Sequence, residues 1–180
     1  GGVRTELASS VSIVNTTFFD NVTTDGLAAA LSVGGGGGGE VRNCTFAENK
    51  VEGGEVVFTA AIRADTSLSV YNTVFADNTT HAPYNPQTCW FDPFPGETNF
   101  QWPALTYNDA MDDWPCTENI TWEDPLLGPL TDNGGPTQTL MPDPSSSTIG
   151  AGQSCPAVDQ RGEPRPENDC TAGAVEAPTP

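Results

Sequence analysis

Three acids occupy one equivalent position of a repeated segment: Asp20, Glu48 and Asp77. On stacked strands they would form a row with about 5 Å between neighbours, a separation at which paired carboxylates can act on a glycosidic bond. Arg42 and Arg63 are candidate balancing cations for such a row, and a polysaccharide lyase would use a basic residue of that kind to abstract a proton. The plainer reading is a solvated turn position copied by duplication. We adopt it and expect no catalytic residues. A second group, Asp109, Asp112 and Asp113, supplies hard oxygens of the type calcium takes, without the D-x-D-x-D-G spacing of a dedicated loop. No other metal or cofactor is expected.

The remaining chemistry-bearing residues narrow the class. The net charge is −18, with only six basic residues. A phosphate backbone or an anionic membrane surface would repel such a chain, so nucleic acid and membrane partners are excluded. The longest apolar run, Leu27–Val33, is of strand length and far short of the ~20 residues of a membrane span. Any leader segment lies outside this sequence. The single histidine, His81, and the lack of a CxxC pair speak against zinc. Five cysteines, at 44, 89, 116, 155 and 170, instead read as a disulfide framework of an oxidising compartment with one thiol left over. Five sequons begin at Asn15, Asn21, Asn43, Asn78 and Asn119 and suit a secreted glycoprotein. Four of them fall in a repeat that favours Asn and Thr on its own account.

All four tryptophans lie between Thr80 and Trp122, with several prolines and acids. Trp90, Trp102 and Trp114 are candidates for stacking on sugar rings. The competing reading is a hydrophobic loop that covers one side of the scaffold.

The elements that must position these residues follow from a repeat. Ile13–Asn21, Val41–Asn49 and Val70–Asn78 align without gaps as N-x-x-F-x-[DE]-N, with the Phe at 18, 46 and 75, spacings of 28 and 29. A fixed period in this range marks a solenoid. Leucines are too few for leucine-rich repeats, and no stretch has helical periodicity. Short β-branched and aromatic strands broken by Asn and Gly remain, with second strands at Leu27–Val33 and Val56–Ala64. The expected fold is all-β: a right-handed parallel β-helix of about three coils with a loop-rich, disulfide-stapled C-terminal cap. Phe18, Phe46 and Phe75 would stack as an internal ladder. Asn21, Asn49 and Asn78 would hold sharp turns, because Asn tolerates the left-handed conformation, and would hydrogen-bond between coils. The glycine run Gly34–Gly39 reads either as a flexible bulge or as a tight turn against a neighbouring backbone. It lacks the Lys-Ser/Thr and helix of a phosphate-binding loop.

The C-terminal third carries a set of ordered motifs: Asp124–Leu130 (DPLLGPL), Asp132–Thr137 (DNGGPT), Pro144–Gly152, Asp159–Pro166 (DQRGEPRP) and Gly173–Glu176 (GAVE). This block resembles that of surface proteins of the choice-of-anchor Q type, parallel β-helices akin to polymorphic outer-membrane and pectate-lyase-like folds. Thr148-Ile149-Gly150 departs from the Ala-Ile-Asp usual there, so a local acid is lost. The resemblance implies surface exposure, no shared catalytic motif, and continuation beyond Glu176 into a linker and anchor. It also suggests disulfides: Cys155 with Cys170, closing a loop of about 16 residues and worth roughly 3 kcal/mol, and Cys89 with Cys116. Cys44 is then free and, alternating with Phe46, points into the core.

The resulting organisation is coils over 1–80, an aromatic, Pro-rich insertion over 81–122, a C-terminal cap block over 123–176 and the start of a linker over 177–180. The expected function is a secreted or cell-surface structural or adhesive module, part of a larger surface protein or filament. The alternative is a carbohydrate-binding module, or a lyase or glycosidase of the pectate-lyase-like fold. Gly1-Gly2-Val3 resembles a strand start within a coil, which leaves an open β edge for upstream coils or another copy of the chain. Surface glycans are the other expected partner.

Overall fold

A computed structural model describes residues 2–6, 10–24, 27–53, 59–80, 87–89, 92–104, 106–108, 111–112 and 114–178; for 106–108 and 111–112 it describes the backbone. The described residues are all-β and contain no helix. The strands are short: β1 (Val3–Thr5), β2 (Val11–Val14), β3 (Thr17–Phe19), β4 (Val22–Thr23), β5 (Leu31–Val33), β6 (Gly39–Arg42), β7 (Thr45–Ala47) and β8 (Lys50–Val51). They continue as β9 (Ile62–Ala64), β10 (Leu68–Tyr71), β11 (Val74–Ala76), β12 (Thr79–Thr80), β13 (Asn99–Trp102), β14 (Thr106–Asn108), β15 (Met111–Asp112) and β16 (Ile120–Thr121).

Four parallel sheets collect these strands at the sequence period. Their orders are β1-β5-β9, β2-β6-β10, β3-β7-β11-β13-β16 and β4-β8-β12. Each of the three consensus units thus gives one strand to each sheet, in the same order. Register follows the consensus: Phe18 pairs with Phe46, and Phe46 with Phe75. β14 and β15 form a separate antiparallel pair.

The repeat continues where the sequence suggested an insertion. Ala60 and Ala61 donate to the carbonyls of Gln87 and Thr88, and Ile62 bridges Cys89 in parallel. Val70 and Asn72 donate to Pro95 and Glu97, and β13 pairs with β11. In the described residues of 87–89 and 92–102 the parallel pairing therefore runs on as a fourth unit, and β16 pairs in turn with β13. Gln101 takes the place of Phe over Phe75, and Thr98 that of Asn at 15, 43 and 72, so the consensus letters disappear while the backbone pairing persists.

One feature differs from expectation within the repeat. The left-handed residues are not Asn21, Asn49 and Asn78. They are the first Asn of each unit, Asn15, Asn43 and Asn72 (φ 49°, 48° and 49°), and the acids Asp20, Glu48 and Asp77 (φ 48°, 55° and 52°). Asn and Asp bear this conformation at least cost, which explains five of the six residues and leaves Glu48 as the strained member. The glycine run adopts the tight-turn reading. Gly34 donates to Thr5, Gly38 donates to the Thr66 hydroxyl, and a Cβ on Gly39 would lie 2.4 Å from the Val11 carbonyl oxygen.

The C-terminal block lies along the flank of the stack. Its bonds reach successive units: Val158 accepts from Asn15, Thr171 from Asn43, and Gln153 from Asn72. The outer face of the β3-β7-β11-β13 sheet, including Ala47, Val74, Ala76 and Phe100, packs against Leu127, Leu140, Ala151 and Ala172 of this block. The expected end cap is thus a lateral cover, because the apolar surface that needed burial ran along the sheet.

Candidate functional site

The interior of the stack is consumed by its own contacts. Phe46 is fully buried between Phe18 and Phe75, with ring centroids at 4.6 Å and 5.4 Å and near-parallel planes. Offset stacking of this kind adds to the area each ring buries. The asparagines form a second ladder. Asn21 Nδ2 donates to Asn49 Oδ1, and Asn49 Nδ2 donates to Asn78 Oδ1, each at 2.8 Å. The backbone amides of Asn21 and Asn49 give to the same oxygens.

Cys44 lies in the same core as Phe46, fully buried, with its thiol against the carbonyls of Arg42 and Ile13 at 3.3 Å and 3.6 Å. Burial pushes its pKa up to about 12. A thiol so protonated has negligible thiolate at neutral pH and is not a nucleophile. The other four cysteines are joined as Cys89–Cys116 and Cys155–Cys170. Cys89–Cys116 ties the fourth unit to the segment entering the fifth. Around Cys155–Cys170 the backbones approach so closely that a Cβ on Gly152 would meet the Cys170 sulfur at 2.4 Å.

The expected acid row is built, but its cations differ. Asp20 pairs with Lys50 at 3.1 Å on an exposed surface. Arg42 is held by Glu40 of its own strand at 2.8 Å and lies over the Tyr71 ring, while Arg63 pairs with Asp65 at 2.9 Å. Neither arginine balances the row as expected, because each meets an acid two residues along its own chain first.

Asp77 belongs to a site that local sequence does not announce. It lines an open groove of about 680 Å³ with Asp124, Asp143 and Ser145, over an apolar floor that includes Leu126, Leu127 and Met141. Burial, and then the charge of Asp124, raise the Asp77 carboxyl above its ordinary value. Asp143 is held below its ordinary value by the Ser145 hydroxyl and backbone amide. Asp124 caps the Leu126 amide at 2.8 Å. Among the described residues no basic side chain lines the groove, which suits hydroxyl-rich or cationic ligands. Asp77 N donates to the carbonyl of Trp102 at 2.8 Å, which places the exposed Trp102 beside the groove. Trp114 and Trp122 are also exposed at the surface. Trp90, Asp109 and Asp113, and the side chain of Asp112, lie outside the described residues, so the calcium expectation has no geometry attached to it. Among the described residues no group of three or more acids, histidines or cysteines is arranged to hold a metal.

A third cluster holds the C-terminal block together. The Asp159 side chain, fully buried, pairs with Arg161 at 2.8 Å and accepts from the amides of Arg161, Glu163 and Glu176. Arg165, equally buried, pairs with Glu176 at 2.8 Å and donates to the carbonyls of Thr171 and Gly173. These are the D, the two R and the final E of the DQRGEPRP and GAVE motifs, and their role is structural. Sequence reading also missed the first Asn of each unit as the docking row for this block.

No family model, no curated protein and no solved structure matches the chain.

Proposed function

We propose that the chain is a right-handed parallel β-helix segment of a secreted or cell-surface protein, with a structural or adhesive role and without catalysis. The observation that carries this reading is the ladder. In the three consensus units, Phe and Asn are spent on the units above and below, and one outward face is dressed by the C-terminal block. Visiting the four sheets in constant order with parallel pairing favours the right-handed path that such crossovers take. Two disulfides support an oxidising compartment, and the resemblance of residues 124–176 to choice-of-anchor Q surface proteins supports the cell surface.

Among the described residues, the edge strands β1 to β4 have a strand partner on one side only. Their proposed partner is a further β-helix coil, either upstream in the same protein or from another copy. Electron microscopy and light scattering of the purified chain test this assembly. End-to-end particles are the expected result, and strictly monomeric behaviour at high concentration counts against self-association.

A second reading is favoured by the groove at Asp77 and Asp124 with Trp102 beside it: a carbohydrate-binding module. Aromatic faces stack on sugar rings and carboxylates accept from hydroxyls. A glycan array distinguishes the two, with binding lost in Trp102→Ala and in Asp77→Ala. Catalysis is tested separately by polysaccharide cleavage. Activity that disappears on joint replacement of Asp20, Glu48 and Asp77 would establish an enzyme.

A further inference from the structure

The five sequons are chemically equivalent in sequence and unequal in the fold. Asn43 and Asn78 are buried, at 0% and 2% exposure, and their Nδ2 atoms donate to the carbonyls of Thr171 and Phe46 at 3.3 Å and 2.8 Å. Asn21 Nδ2 donates to Asn49 Oδ1 at 2.8 Å within the ladder, and Asn15 Nδ2 donates to Val158 at 2.6 Å under the C-terminal block. A sugar on any of these four nitrogens must displace a contact that holds one unit to the next or the block to its flank. Asn119 is different. It is exposed, it stands in the bend before β16, and its side chain makes no hydrogen bond among the described residues.

We propose that Asn119 is an N-glycosylation site and that it is the only one of the five that the folded protein carries occupied. This rests on the reading that the chain enters a secretory compartment. The donor is a lipid-linked oligosaccharyl diphosphate. Asn119 Nδ2 attacks the anomeric carbon, the bond from that carbon to the diphosphate oxygen breaks, and the lipid diphosphate leaves with the electron pair. One amide proton passes to a base of the transferase. Transfer takes place on the growing chain, before the sheets stack, so all five sequons meet the enzyme. Chains that acquire sugar at Asn43 or Asn78 cannot seat the block or close the ladder, and they are lost from the folded population. At Asn119 the sugar projects to solvent and leaves the Ile120 and Thr121 pairing with β13 intact.

The test is secretion of the full chain from a glycosylating eukaryotic host. The native, disulfide-bonded protein is then treated with an amidase that converts glycosylated Asn to Asp in heavy-oxygen water, and its peptides are mapped by mass spectrometry. Heavy-oxygen Asp at 119 alone is expected, together with loss of all N-glycan in Asn119→Gln and unchanged secretion of that variant. Secreted protein with both disulfides formed and Asn119 bare overturns the site while leaving the secretion reading standing. Glycan at Asn15, Asn21, Asn43 or Asn78 in protein that unfolds cooperatively overturns the claim of exclusivity. Retention of the chain in the cell with reduced cysteines overturns the secretion reading, and the site with it.

Discussion

The stack of repeat units and the block on its flank are stabilised in opposite ways. In the stack one contact is made again and again: Phe on Phe, Asn on Asn, strand on strand at the same register. In the block nearly every contact is made once. Asp159, Arg161, Arg165 and Glu176 form a closed, largely buried set, and one disulfide ties Cys155 to Cys170 around it. Iteration distributes stability over neighbours, so damage at a central unit is felt on two sides. A singular network concentrates it, so one lost partner leaves another group buried and unmet.

The largest expected effect breaks the stack at its centre. Phe46→Ala should cost about 3–5 kcal/mol of unfolding free energy, measured by urea titration, and Phe18→Ala at the end of the ladder clearly less. Equal costs would mean that the rings do not act as a ladder. Next, replacing Cys155 and Cys170 by Ala removes a cross-link worth roughly 3 kcal/mol in the chain-entropy model. Hydrogen exchange should then rise over residues 153–178 while β7 and β11 stay protected; uniform acceleration would merge the two regions into one cooperative unit. Asn49→Ala removes the middle of the polar ladder: the Phe18 carbonyl loses the Asn49 side-chain donor, and the Asn21 amide and side chain lose their acceptor, at a cost of about 1–3 kcal/mol in the same titration.

Acid sharpens the comparison. Burial raises the Asp159 carboxyl, but the Glu176 amide, the Arg161 side chain and the amides of Arg161 and Glu163 outweigh it, so its folded pKa lies below its ordinary value. The stability this group supplies is therefore present above the ordinary carboxylate pKa. It is lost as pH falls below the ordinary carboxylate value and through the lowered folded one. Asp159→Asn should lie below the parent in midpoint at neutral pH and converge with it on acidification; a constant gap would show that the charge is not what matters. The smallest effect is expected at Lys50→Ala, which removes an exposed ion pair with Asp20 and should leave the melting temperature unchanged.

What was legible in the sequence divides along the same line. The period at Phe18, Phe46 and Phe75, the all-β class and the parallel strands could be read because a solenoid writes one environment into the chain several times. The fourth unit was hidden because Gln101 stands where the other units carry Phe: it bonds through its amide, accepting from Cys116 N and donating to the Trp114 carbonyl, instead of stacking. Pairing depends on backbone groups that every residue type carries, so the sheet outlasts its signature.

By itself, then, the sequence determined the repeat, its inward Phe and Asn ladders and the abundance of cysteine and sequon chemistry. Tertiary structure alone decided that the C-terminal block runs along the flank, and that Asn15, Asn43 and Asn72 are its docking row. It also decided that Asp77 meets Asp124 and Asp143 in a groove, and that one sequon of five stays in the open. The physical reason is distance along the chain. Contacts between units recur at a fixed spacing and leave a pattern, whereas contacts such as Asn15 to Val158, 143 residues apart, occur once and leave none.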